Sequence, residues 1–276
     1  MTNIISLNNI ILKHVKIKCP NRRTPTYTPE YYLINILNLL TDVNSWKSLI
    51  KTTDYNSIKC PPHYKTISRI HKLWADNNVY SDAFTEYTQT NICNTDNTNL
   101  FIDSTLIINK LGIENIGYGG SCKKKKFTKL TAITTEEGGI VAILPDKTYE
   151  KPIENTNRIR QTLSHDVVNI EPIIKKVRTN LININKKIKI YGDKRYIIYD
   201  KLKKRLYKKY KVKVVHPIKK NQTKKNMHIE ENKLKNRYKI ENTFAFIKSC
   251  NRVHVRKYKS ISCYMGFVYI ACILKS

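Results

Sequence analysis

The sequence predicts a mixed α/β protein: a five-stranded mixed sheet flanked by helices, preceded by a small helical module. Three observations predict it. Apolar residues recur at helical spacing between residues 29 and 90. From residue 100 the pattern changes to buried or alternating runs of strand length. Those runs come first as three strands and then alternate with helices, an order that places helices on both faces of one sheet. At 276 residues and 41% hydrophobic, the chain is long enough for one large domain or two small ones with a real core. No internal repeat is visible.

Taken in order, residues 1–28 read as a basic irregular arm, marked by NRRTPTYTP. Thr28-Pro29 then opens a helix, with Thr as the N-cap and Pro in the first turn. Tyr32, Ile36, Leu39 and Leu40 give that helix an apolar stripe. A second helix follows Pro61-Pro62, carries Ile67, Ile70, Leu73 and Trp74 on one side, and ends at Asp76-Asn77-Asn78. Residues 29–90 thus form a helical module, with Trp46 and Trp74 as core residues and Arg69, His71 and Lys72 as possible DNA-facing ones. The remaining domain spans 91–276. NICNTDNTN connects it. LFIDSTLII (100–108) reads as a buried strand. KFTKLTAITT (126–135) alternates, and Glu137-Gly138-Gly139 turns it into IVAILP as a hairpin. HDVVNIEPIIKKV predicts a helix that Pro172 breaks or kinks. KKIKIYGDKRY predicts a strand ending in a loop, YIIYDKLKKRLYKKY an amphipathic basic helix, and VKVVHPI the last strand. A long helix is expected from about Met227 to Ser249, then a buried helix in SISCYMGFVYIACIL. The order βββαβαβα is that of an RNase H-like sheet.

The formal net charge is +30, from 51 basic and 21 acidic residues. Residues 181–276 alone hold 27 basic against 5 acidic residues, so most of the surplus lies in the last third. A single-sign field of this size suits a polyanion, and binding through it should weaken steeply with salt. Seven cysteines, an odd number with no CxxC, point to reduced thiols and argue against a zinc finger. No apolar run reaches membrane-spanning length, and the N-terminus lacks a signal-peptide pattern. The expected location is therefore cytoplasmic or nucleoid-associated in a bacterium, nuclear or in a viral factory otherwise, and not secreted. The runs Lys123 to Lys126 and KLKKRLYKK fit DNA contact or plain solvation better than nuclear import.

Three acidic residues stand where this topology would bring them together. Asp103 interrupts an apolar strand, where a carboxylate is costly unless paired or metal-bound. Asp193 follows KIKIYG at the carboxyl end of a strand expected beside the first one. Asp200, in the next helix, is the weaker candidate. Glu241 lies in the long helix; at 100° per residue, Arg237, Glu241 and Lys248 fall at about 0°, 40° and 20° on one face. Taken alone that trio is an ordinary surface ion pair. Hard oxygen ligands converging from separate elements are what two Mg²⁺ or Mn²⁺ ions, about 4 Å apart, require for phosphodiester chemistry.

The segment LKNRYKIENTFAFIKSCNRVHVRKY resembles the C-terminal signature of insertion-sequence DDE transposases, Y-x2-R-x3-E-x6-K. Arg237, Glu241 and Lys248 match it in residue and spacing, while Leu234 stands where the family has Tyr. IDST resembles the motif around the family's first catalytic Asp. GDKRY is similar to the second, usually A-D-K-G-Y, with Gly192 and Arg195 departing. WKSL and YKTISRIHKLW are similar to the N-terminal region that binds transposon ends. Only 47 residues separate Asp193 from Glu241, which fits the compact IS-four/IS-five-like group that lacks a large β insertion. The resemblance implies a DNA transposase that cuts and transfers strands at transposon ends. It implies Asp103, Asp193 and Glu241 as catalytic and metal-holding residues for two Mg²⁺ (or Mn²⁺) ions. Contacts to double-stranded DNA, both terminal repeats and target, fall to Arg237, Lys248, Lys194, Arg195, Arg252, Arg256, Lys125, Lys126, Lys129, Arg69 and Lys72. It implies a homodimer or higher oligomer on DNA, since two ends must be held. Two other readings stay open: a decayed or domesticated transposase that only binds DNA, and another RNase H-like nuclease acting on hybrids or branched DNA.

Overall fold

The computed structural model describes residues 2–20, 27–41, 46–47, 62–92, 99–118, 125–152, 159–163, 165–181, 187–217 and 236–275. The chain divides into two compact units. The first comprises Met1–Tyr87, Asn109–Glu114 and Phe246–Lys275, and the second Thr88–Ile108 and Asn115–Ala245. The boundary differs from the expected 29–90 and 91–276, because the last thirty residues fold with the N-terminal ones.

The first unit is helical. It contains α1 (Thr2–Lys18), α2 (Pro29–Thr41), α3 (Tyr64–Asp76), most of α4 (Val79–Asn91) and α8 (Ile261–Lys275). Every side chain from Cys263 to Ile273 of α8 is buried. A helix apolar all round must lie at the centre of its unit, and α8 packs against α1 and α3. Gly266 permits the close approach: a Cβ there would come within 2.8 Å of the Tyr80 ring. α2 begins as its sequence predicts, with the Thr28 hydroxyl accepting from the Tyr31 amide at 3.3 Å. α3 is capped by the His63 ring, and its end at Asn77 and Asn78 uses a left-handed Asn78 (φ 59°).

Residues 2–18 are not an irregular arm. Leu7, Ile11 and Val15, each one turn apart, are buried and give α1 an inward stripe. Lys13 and His14 pair with Glu86, and Lys18 with Asp82. The basic part of the arm, residues 21–26, lies outside the described residues, as do Lys123, Lys124 and Leu234. No described helix is long and apolar enough to cross a membrane.

The second unit carries the sheet. β1 (Asn99–Asn109) pairs antiparallel with β3 (Lys126–Thr135) on one edge and parallel with β7 (Ile188–Tyr191) on the other. β3 forms the expected hairpin with β4 (Ile140–Pro145), its turn closed by Gly138 at φ 92°. β7 continues in parallel to β8 (Val212–Val215). Beyond the predicted strands, β2 (Gly117–Tyr118) joins β3, and a β5 (Thr148–Pro152) and β6 (Ile159–Leu163) hairpin extends the sheet through β2. The sheet is therefore larger than the five strands expected, and β9 (Val255–Arg256) adds a short strand in the first unit. Helices α5 (Ile170–Asn180), α6 (Asp200–Tyr210) and α7 (Tyr238–Ser249) complete the connections. Pro172 does not break α5, because it sits in the first turn, where no intrahelical bond needs its missing N–H. α7 starts at Tyr238, so Arg237 belongs to the turn before the helix; residues 227–235 are outside the described ones. The core joins Leu100, Ile102 and Ile190 of the sheet to Ile173, Ile174 and Val177 of α5 and Leu202 and Leu206 of α6.

Candidate active site

The sheet register explains how two distant carboxylates become neighbours. Phe101 pairs with Tyr191 across the parallel β1–β7 ladder. The ladder ends at that pair; Asp103 lies two residues further along β1, and Asp193 two residues beyond the end of β7. The backbone turns immediately after β7, with the Gly192 amide donating to the Val215 carbonyl at 2.9 Å. Gly192 has no room for a side chain: a Cβ would stand 2.9 Å from Tyr196 and 3.0 Å from Ile102. Asp193 then caps the short 3-10 turn that follows, its Oδ1 accepting from the Arg195 amide at 2.8 Å.

Glu241 comes from the first turn of α7. That end of the helix is tied to the β3–β4 turn at two points. The Asn236 amide donates to Glu136 Oε1 at 2.9 Å, and the Thr243 hydroxyl donates to the Gly138 carbonyl at 3.2 Å. Between them Arg237 reaches inward. Its Nη1 donates to Asp103 Oδ2 at 2.7 Å, and its Nη2 stands 3.3 Å from Glu241 Oε1. One guanidinium thus bridges two of the three carboxylates.

Asp103 is largely shielded from solvent, and this burial holds its carboxyl above the ordinary range. The Ser104 amide, donating at 2.8 Å, and Arg237 pull the other way. Asp193 and Glu241 both push it up. Asp103 therefore feels both of the other acids. Their donor set is hard oxygen, the kind that Mg²⁺ and Mn²⁺ take, and a cation already bridges two of them. By chemistry the residues fit a divalent-ion site. Among the described residues, however, no three acidic, His or Cys groups are drawn within reach of one ion. Asp200 is turned away to pair with Lys203 at 3.3 Å.

A second charged cluster was not foreseen. The Lys129 ammonium is buried 3.1 Å from Asp146 and 2.6 Å from Asp166. Ser104, next to Asp103, donates to Asp166 at 2.7 Å, and Thr131 donates to Asp146 at 2.5 Å. Burial raises the Asp146 carboxyl; at Asp166 the opposing hydrogen bonds from Lys129 and Ser104 outweigh burial and hold it low. Lys129 thus faces inward as the counter-ion of two buried acids, not outward toward DNA.

The other expected DNA contacts separate by unit. Lys125, Lys126, Lys194 and Arg195 of the second unit are exposed. In the first unit Arg69 and Lys72 are exposed, and Lys248 is half-buried. Arg256 is fully buried and donates to the carbonyls of Glu114, Tyr258 and Lys259 at 2.5, 3.2 and 2.9 Å, so it clamps a loop instead of presenting a charge. Arg252 is also buried, over the Trp46 ring.

Residues 95–274 match the family model described as transposase DDE domain. No curated protein matches the sequence. Among solved structures, the chain is similar to piggyBac transposase in the cryo-EM structure of its synaptic complex with hairpin DNA. The TM-score is 0.52 at 14% identity, over 99% of this chain and 71% of that one. At that identity the likeness speaks to fold alone.

Proposed function

Because this chain belongs to the transposase DDE domain family, we propose that it cuts and transfers DNA strands at transposon ends, with Asp103, Asp193 and Glu241 as its catalytic carboxylates. The observation that carries the reading is the Arg237 guanidinium, which joins Asp103 to Glu241 at 2.7 and 3.3 Å. On this reading the strands β4, β3, β1, β7 and β8 are an RNase H-like sheet, and the parallel pairing of β1 with β7 supports it.

The three carboxylates would hold the two divalent ions. When bound, such ions lower the pKa of the attacking water and stabilise the leaving oxygen. The protein's own groups do the positioning. Ser104 and the Lys129 cluster fix β1 beside Asp103. The tight turn at Gly192 sets the height of Asp193. The ties from α7 to the β3–β4 turn fix Glu241. Lys194 and Arg195, exposed beside Asp193, neutralise the phosphate backbone, and Lys125 and Lys126 add a sequence-independent grip. Arg69 and Lys72 serve end binding in the helical unit. Two ends must be held at once, so the acting form is a dimer or larger.

The test is a nicking assay on supercoiled plasmid carrying the gene with its flanking DNA, with Mg²⁺ or Mn²⁺ and with chelator. Ion-dependent nicks in that flanking DNA, lost in Asp103→Asn with DNA binding retained, are expected. Retained binding without any cleavage by the wild-type protein would make it a DNA-binding relative instead. Preferred degradation of RNA–DNA hybrids would assign it to another nuclease class.

A further inference from the structure

The helical unit holds a cavity of about 410 Å³ that the catalytic reading does not use. Its walls are aromatic: Trp46, Tyr64 and Tyr258 line it. Its rim is cationic, from Arg69, Lys72 and Lys259, all exposed. Among the described residues no carboxylate lines it. The nearby Asp76 is engaged by the Ser262 hydroxyl at 2.5 Å.

Two buried groups shape the wall from behind. Both ring nitrogens of His71 are occupied, Nδ1 by the Tyr80 hydroxyl and Nε2 by the Cys263 carbonyl, each at 2.9 Å. With burial pushing its pKa down to about 4, His71 is neutral and contributes a flat face, not a charge. The second group is Arg252. Its guanidinium lies 5.8 Å from the Trp46 ring centroid, and its Nε and Nη2 have no hydrogen-bond partner among the described residues. A guanidinium buried without a carboxylate is costly, and it extends the positive potential of the rim into the wall.

We propose that this cavity takes one unpaired nucleotide of a DNA strand, its base against the aromatic walls and its phosphate on Arg69, Lys72 and Lys259. The proposal rests on the reading of the chain as a DNA-acting protein. The volume is that of a small-ligand site and excludes a duplex. Aromatic faces accept any base by stacking, while arginine and lysine take the phosphate, the combination that single-strand binding uses. A duplex backbone alone would need only an open basic surface.

The chain has two tryptophans; Trp74 is buried and Trp46 lines the cavity, so indole fluorescence reports on the site. The full chain is titrated with hexathymidylate, with a paired duplex, and with the same duplex carrying one extrahelical thymine. Quenching by hexathymidylate, lost in Trp46→Phe, is expected. The bulged duplex should bind about tenfold tighter than the paired one, the scale of one stacked base. Lys259→Ala, a surface change at a cavity residue outside the proposed end-binding contacts, should weaken that preference severalfold and leave paired-duplex affinity within a few-fold. Equal affinity for bulged and paired duplex overturns the cavity's role while the DNA reading stands. No binding to any DNA overturns both. Thymidine monophosphate binding as tightly as hexathymidylate makes it a free-nucleotide site and overturns the proposal.

Discussion

The Arg237 guanidinium balances Asp103 and Glu241 from a single side chain. A divalent cation must compete with it for the same oxygens. In Arg237→Gln the carboxylates lose that competitor, so Mn²⁺ affinity without DNA, read by calorimetry, should rise severalfold. A weaker affinity would show that Arg237 assembles the site instead of competing in it. Asp103 offers a second measurement, independent of cleavage. Its carboxyl is held above the ordinary range, chiefly by burial, so the folded protein binds that proton more tightly than the unfolded chain. Stability from this group therefore falls as pH rises from the ordinary carboxylate value to the raised one, and stays low above it. Asp103→Asn, which removes the ionisation, should melt above wild type at neutral pH. The gap should close below the ordinary value. Equal melting at neutral pH would mean that Arg237 fully offsets the burial.

At the scale of elements, the charged cluster beneath β1 is a structural support. Lys129 is the counter-ion of Asp146 and Asp166, both nearly inaccessible. Lys129→Met strands two buried acids, and breaking such an arrangement costs about 3–5 kcal/mol. Urea unfolding should show that loss. If stability is unchanged and only DNA affinity falls, Lys129 is a surface contact after all. The cluster was not legible in one sequence, since its members are separated by tens of residues and none interrupts a pattern. Asp103, by contrast, stood out as a carboxylate inside an apolar strand, and Asp193 as one closing another. β3 and β4 were readable to the residue because Gly138-Gly139 marks the turn, although β3 is buried on both faces from Thr128 to Thr135 and not half-buried as its alternation suggested. The β5–β6 hairpin was not, for TYEKP and IRQTL carry no apolar alternation and pair chiefly with each other. α1 was hidden by its asparagines and lysines, although Leu7, Ile11 and Val15 keep helical spacing. The membership of α8 in the N-terminal unit has no local signal, because it is decided by what a wholly apolar helix packs against.

At the scale of the molecule, the surplus of thirty positive charges acts through the exposed residues alone. Several arginines and lysines that read as DNA contacts are turned inward, Lys129, Arg252 and Arg256 among them, and these cannot neutralise phosphates. Lys125, Lys126, Lys194 and Arg195, among the exposed cations of the second unit, can. Each phosphate neutralised releases counter-ions and steepens the fall of log K with log salt by about 0.9 on duplex DNA. Replacing these four residues with alanine should therefore flatten the slope by about three to four, measured by anisotropy on a duplex across a range of salt. Arg252→Ala and Arg256→Ala should leave the slope unchanged, and Arg256→Ala should lower the melting temperature instead, because its buried guanidinium holds three carbonyls. A slope that drops by the same amount in both sets would mean that the buried arginines swing out to meet DNA, and the inward packing would then describe only the free protein.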